Sequence, residues 1–168
     1  MENKNSIGAT EIGAVGVGSG GVIKQIEEDQ LQQLNHLIHL ANDLCLAYGT
    51  ARRRLENSKL IEIFTDLDKS HDRFRIQLGE CVTNLGHTPP ETGDLHSMIE
   101  RGRVVIGELQ GDEGIVRAMA KNEEELADAF REAILDQLLP ANVLEIVKQA
   151  LAHEDSHRAY YNKLLRQF

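Results

Sequence analysis

Residues 152–161, AHEDSHRAYY, carry Glu154-x-x-His157 near the end of a segment with helical periodicity. Side chains three apart are neighbours on a helix surface, so this carboxylate and imidazole share one side. Earlier in the chain, Asp68-x-x-His71 repeats the spacing with the shorter acid, and Glu123 lies between the two pairs. Carboxylates neutralise divalent cations, while imidazoles fill further positions and leave sites open for oxygen or water. A two-metal carboxylate site in a helical bundle takes one acid from each of two helices and Glu-x-x-His from each of the other two. Asp68, His71, Glu123, Glu154 and His157 are therefore the candidate metal ligands, with iron or manganese as the expected metal.

These residues can meet only if helices turn them inward. A first helix is expected from about Lys24 to Leu55, with Leu34, Leu37, Ile38, Ala41, Leu44, Cys45, Tyr48 and Arg52 in one stripe. Asn57-Ser58 breaks it and caps a second helix that runs to about Leu85. His71 falls inside the apolar stripe of this helix, beside Leu67, Phe74 and Leu78, with Asp68 at the stripe's edge. Gly86 and Pro89-Pro90 stop it. A short helix over about Leu95 to Gln110, capped by Asp94 and ended by Gly111, reads as part of a crossover. A third helix, about Glu113 to Leu138, carries Glu123 on its inner face with Ile115, Met119, Leu126 and Phe130. Pro140 suits the first turn of a fourth helix, whose stripe is Val143, Val147, Leu151, Glu154, Arg158, Tyr161 and Leu164. His157 lies toward the edge of that stripe.

Short links make two antiparallel hairpins, and the long central link must return along the bundle. The expected fold is all-α: a ferritin-like antiparallel four-helix bundle with an extra short helix in the crossover between helices two and three.

The same polar residues have a plainer reading. A buried Glu and His pair with each other, or with Arg158 and Tyr48, as a polar layer that fixes helix register. The first helix is the weak point of the metal reading. Cys45 stands where an acid is needed, Asn42 lies at the stripe edge, and Asp43 projects to the opposite side. Cys45 and His71 both face inward, but a buried thiol reads as inert packing rather than a nucleophile. His36, His39, His87 and His96 fall on polar faces or in loops and read as surface histidines.

The bulk properties bound the remaining choices. The net charge of −9 argues against nucleic-acid binding, which needs a basic face. Arg52-Arg53-Arg54 reads as cations at a helix C-terminus, where the dipole favours them. No apolar run approaches the roughly 20 residues of a membrane span, and no signal peptide is expected. A cytoplasmic protein that does not engage membranes follows. Cys45 and Cys81 show no disulfide or zinc spacing.

Six glycines lie between Gly8 and Gly21, and Gly16, Gly18 and Gly21 match the G-x-G-x-x-G pattern. That pattern signals a dinucleotide only within a strand–turn–helix unit, and the chain beyond reads as helix. Residues 1–23 are expected to form a flexible Gly-rich tail and 24–168 the bundle.

The stretches LNHLIHLANDLCLAYGTARRRLENSKLIEIFTDL, HDRFRIQLGECVTNLGHTPPETGDLHSMIERG, NEEELADAFREAI and LLPANVLEIVKQALAHEDSHRAYY carry a resemblance. They are similar to a bacterial ferritin-like family of unknown function, over about residues 30 to 167. The shared features are a Leu-Asn-x-Leu-Ile start, a Leu-Gly stop after the second helix, a Pro-containing crossover and a paired C-terminal hairpin. The resemblance implies a third-helix Glu at Glu123 and a late His at His157. It also implies an acid on the first helix where this chain has Cys45, and it does not account for Asp68-x-x-His71.

One functional expectation is a non-catalytic structural or stress-related bundle, dimeric through an outer helix face, with an inward polar layer. The other is a di-metal carboxylate protein with oxidase, peroxidase or iron-handling activity. Catalysis is left open by the sequence.

Overall fold

The computed structural model describes residues 19–91 and 111–168, and four helices account for nearly all of them. They are α1 (Ser19–Arg52), α2 (Ser58–Asn84), α3 (Gly111–Asp136) and α4 (Ala141–Leu165). The expected short helix at Leu95–Gln110 lies outside the described residues, as does the tail up to residue 18. α1 begins at Ser19, inside the stretch assigned to the tail, so Gly20 and Gly21 belong to a helix.

Local chemistry explains the helix ends. The Asn57 side chain accepts from the backbone N–H groups of Lys59 and Leu60 and so caps α2. At the other end Gly86 adopts φ +82°, a left-handed conformation that glycine reaches without steric cost. Gly86 N–H then donates to Thr83 C=O and His87 N–H to Val82 C=O, the paired bonds of a Schellman stop. Pro140 precedes α4 with an extended ψ of 151° and is its cap residue, not part of its first turn.

The helices pack as two hairpins, α1 with α2 and α3 with α4. α1 also lies against α3, and α2 against α4. The Asp112 carboxylate at the start of α3 accepts from the backbone N–H groups of Glu56 (2.9 Å) and Asn57 (3.0 Å) in the α1–α2 turn. At the opposite end Gln30 on α1 donates to Leu138 C=O just past α3. α2 and α3 therefore run parallel, so the end of α2 and the start of α3 lie at opposite ends of the bundle. This is the one-crossover, ferritin-like arrangement expected from the helix pattern.

The core is built from the predicted stripes. Leu34, Leu37, Leu44, Phe64, Leu78, Met119, Leu126, Phe130 and Val147 are fully buried. Ala47, Ala51, Ala133 and Ala150 are buried among them and let the helices approach closely. Among the described residues, seven polar or charged ones are buried too: Asn42, Asp43, Ser70, His71, Asn122, Glu123 and Glu154. No helix among the described residues is long and apolar enough to cross a membrane.

Candidate metal centre

His71 sits on α2 two turns after Phe64 and two turns before Leu78, both core residues, so the stripe carries its imidazole inward. Glu123 occupies the same kind of place on α3, between Met119 and Leu126. Glu154 does so on α4, between Val147 and Tyr161. His157, one turn on, reaches the layer from the edge of α4. Ligand atoms of His71, Glu123, Glu154 and His157 all lie within 4.8 Å of one another.

Glu123 is the hub. His71 Nε2 lies 3.0 Å from its Oε1 and His157 Nδ1 3.3 Å from its Oε2. Tyr48 on α1 donates its O–H to Oε1. With that proton directed at Glu123, Tyr161 donates to the Tyr48 oxygen at 2.8 Å. Burial, reinforced by the Glu123 charge, pushes both phenols well above their ordinary range, so both remain donors.

Glu154 is treated differently by its surroundings. His71 Nδ1 lies 3.2 Å from Glu154 Oε1, close enough for ion pairing but off the line a hydrogen bond needs. Neither Glu154 oxygen has a hydrogen-bond partner, although the residue is 1% exposed. An unsatisfied buried carboxylate is costly.

The proton inventory follows from this geometry. Burial acts to lower the pKa of His71, but Glu123 and Glu154 outweigh it and push it up to about 10. Burial acts to raise Glu123, but His71 and His157 hold it well below the usual carboxylate range. Burial pushes Glu154 up to about 8, aided by the neighbouring Glu123 charge and opposed by His71. Near neutral pH, His71 is a cation, Glu123 an anion and Glu154 a neutral acid.

Four of the five sequence-derived ligand candidates are thus brought together. Asp68 stands outside the cluster: its carboxylate pairs with Arg52 at 2.9 Å and bonds to the Cys45 thiol. Burial, with the Asp68 and Asp72 charges, pushes that thiol up to about 12, so Cys45 is not an activated nucleophile. The group that α1 contributes is Tyr48, a residue of the apolar stripe that the polar-layer reading named as a partner for a buried Glu or His. Arg158, expected to face inward, is half exposed and pairs with Glu124. Asp43, expected on the side of α1 opposite the stripe, is 1% exposed, because α1 is buried on more than one face at that level. His36 is exposed and His39 half-buried on α1, while His96 lies outside the described residues. His153 was overlooked. Its signal was the four-residue spacing to His157 within HEDSH.

The helix order, the parallel α2 and α3 and the inward His–carboxylate layer define a ferritin-like four-helix bundle. Solved structures bear out the fold. A conserved hypothetical protein from Mycobacterium tuberculosis matches with TM-score 0.69 at 15% identity, over 84% of this chain and 98% of its own. A Dps1 mutant from Mycobacterium smegmatis matches with TM-score 0.73 at 13% identity, over 84% and 97%. A ferritin-like, diiron-carboxylate protein from Bacillus anthracis matches with TM-score 0.68 at 13% identity, over 83% and 97%. No curated protein matches the chain. Residues 29–136 match the family described as Domain of unknown function (DUF2383), and the chain belongs to that family.

Proposed function

We propose that the protein holds a single divalent transition-metal ion, iron or manganese, in the core of the bundle. The ligands are His71, Glu123, Glu154 and His157. The observation that carries this reading is Glu154: both its oxygens are buried without a donor, and they face two imidazoles and a second carboxylate. A divalent cation satisfies those oxygens and matches the charge of the two carboxylates. The mixed nitrogen and oxygen donor set suits iron or manganese. When bound, such an ion supplies Lewis-acid and redox chemistry toward oxygen or peroxide. The protein's own groups fix the rest: Tyr48 and Tyr161 hold Glu123 in place, and the surrounding core excludes water. Asp68 acts outside the ligand set, tying α2 to α1 through Arg52.

The test is metal content after anaerobic incubation with ferrous iron or manganese and desalting, read by plasma mass spectrometry. One metal per chain, lost in Glu154→Ala, is the expected result. Absence of retained metal in the unaltered protein refutes the proposal.

A second reading has its own support. Glu123 already receives Tyr48, His71 and His157, so much of the layer is satisfied without an ion. On that reading the layer fixes helix register in a non-catalytic bundle, and chelators leave the melting temperature unchanged. On the metal reading chelators lower it, because an ion that binds only the folded state stabilises it.

A further inference from the structure

The seam between α2 and α4 is the least extensively packed of the four helix–helix interfaces among the described residues. Two grooves open along it. One, of about 180 Å³, is lined by Ser70, Arg73, Phe74 and His153. The other, of about 380 Å³, is lined by Asp66, Leu67, Tyr160 and His157. His153 and His157 lie one turn apart on α4, with ring centroids 6.5 Å apart. His157 is in turn 5.0 Å from His71. Exposure falls along this series: His153 is exposed, His157 is 12% exposed and His71 is 1% exposed. Phe74 packs against the His153 ring at 5.3 Å and holds it over the seam.

Three imidazoles therefore step from solvent to the buried carboxylates. His157 turns Nδ1 inward, toward Glu123 and Glu154, and Nε2 is on the opposite edge of its ring. Two imidazoles four residues apart on one helix face have the spacing at which helices hold a divalent transition metal. Such a surface station has a use here, since His71, Glu123 and Glu154 are too deeply buried to take a hydrated ion directly from water. Arg73 beside the first groove opposes a cation and Asp66 beside the second favours one. The imidazoles, more than the surrounding field, therefore do the capturing.

We propose that His153 and His157 form an acquisition site for a divalent transition metal on the α2–α4 seam, from which the ion passes inward. The proposal rests on the buried cluster being a metal site.

The experiment is stopped-flow mixing of the full chain with cobalt(II), whose visible absorption reports its coordination. His153→Ala is expected to slow uptake by about tenfold or more, the lower end of what removing one group that supports a metal site costs. The final cobalt content and the melting temperature of the metal-free protein stay at wild-type values. His153→Asp, which restores an ion-binding group, recovers much of the rate. Uptake by His153→Ala at the wild-type rate, with cobalt retained, overturns the acquisition site and leaves the buried site standing. Failure of the wild-type protein to retain cobalt overturns both.

Discussion

Titrating the metal-free protein with manganese across a range of pH tests the site through its protons. The cluster binds a proton on His71 up to about pH 10 and one on Glu154 up to about pH 8. Both must leave before these groups can ligate, because ligands bind metal deprotonated. Below about pH 8 one dication therefore displaces two protons, and the charge of the buried cluster is unchanged by the exchange. Two protons released make affinity rise about 100-fold per pH unit, or about 2.7 kcal/mol. The gain between about pH 6.5 and about pH 7.5 should be of that size. Above about pH 8 only the His71 proton remains, and the slope falls to about tenfold per unit. Calorimetric titration in two buffers of different ionisation enthalpy counts the protons directly. Affinity independent of pH, with no proton release, would refute the reasoning and place any bound manganese elsewhere.

Further outcomes follow from the same geometry. The metal-free protein should lose stability as pH rises from about 6.5 to about 8. His71 and Glu154 both have folded pKa values raised above their unfolded ones, so the folded state holds more protons throughout that window. The expected slope is up to about 1.4 kcal/mol per proton per unit, read from urea unfolding at each pH, and a stability that rises instead contradicts it. Glu154→Gln should abolish metal retention yet leave the metal-free protein at least as stable as wild type at about pH 9, where Glu154 is otherwise ionised without a donor. Tyr48→Phe deletes the donor to Glu123 and strands Tyr161. A loss of about 1–3 kcal/mol in urea unfolding is expected, and an unchanged midpoint counts against the hydrogen-bond chain. Asp112→Ala should cost about 0.5–1.5 kcal/mol by the same assay, because it removes the acceptor of two solvent-exposed backbone donors that tie α3 to the α1–α2 turn.

The fold was legible because most helices here bury a single stripe. On α2, Leu60, Phe64, His71, Leu78 and Val82 recur at helical spacing, and all are buried. A polar residue inside such a stripe stands out, which is why His71, Glu123 and Glu154 could be found without coordinates. The misses have physical causes. Stripe reasoning assumes one buried face, and α1 breaks that assumption from Leu40 to Leu44, a continuous buried run that includes Asn42 and Asp43. Arg158 projects near the stripe but its long side chain reaches the surface, where Glu124 holds it. Tyr48 was legible as a partner for the polar layer, but its ring also fits an apolar stripe, and nothing in the sequence says which carboxylate its hydroxyl meets. Helix ends moved by a few residues, as at Pro140, because capping depends on the local ψ and not on residue type alone.

Tyr48 also decides how much charge the core can hold. A two-metal carboxylate site draws on four acids, so that the cations are matched by negative charge. Here α1 offers a phenol that burial and Glu123 keep protonated, and the Asp68 charge is matched by Arg52. Glu123 and Glu154 are the two carboxylates left facing the imidazoles. One dication brings that set to neutrality. A second would leave two uncompensated positive charges among residues 1–2% exposed, at a cost of several kcal/mol per ion. Tyr48 moreover already donates to Glu123 Oε1. For the metal site proposed above, the lack of a first-helix carboxylate among the ligands therefore favours one ion per chain, and a measured ratio of two would require Tyr48 to ionise or Asp68 to leave Arg52.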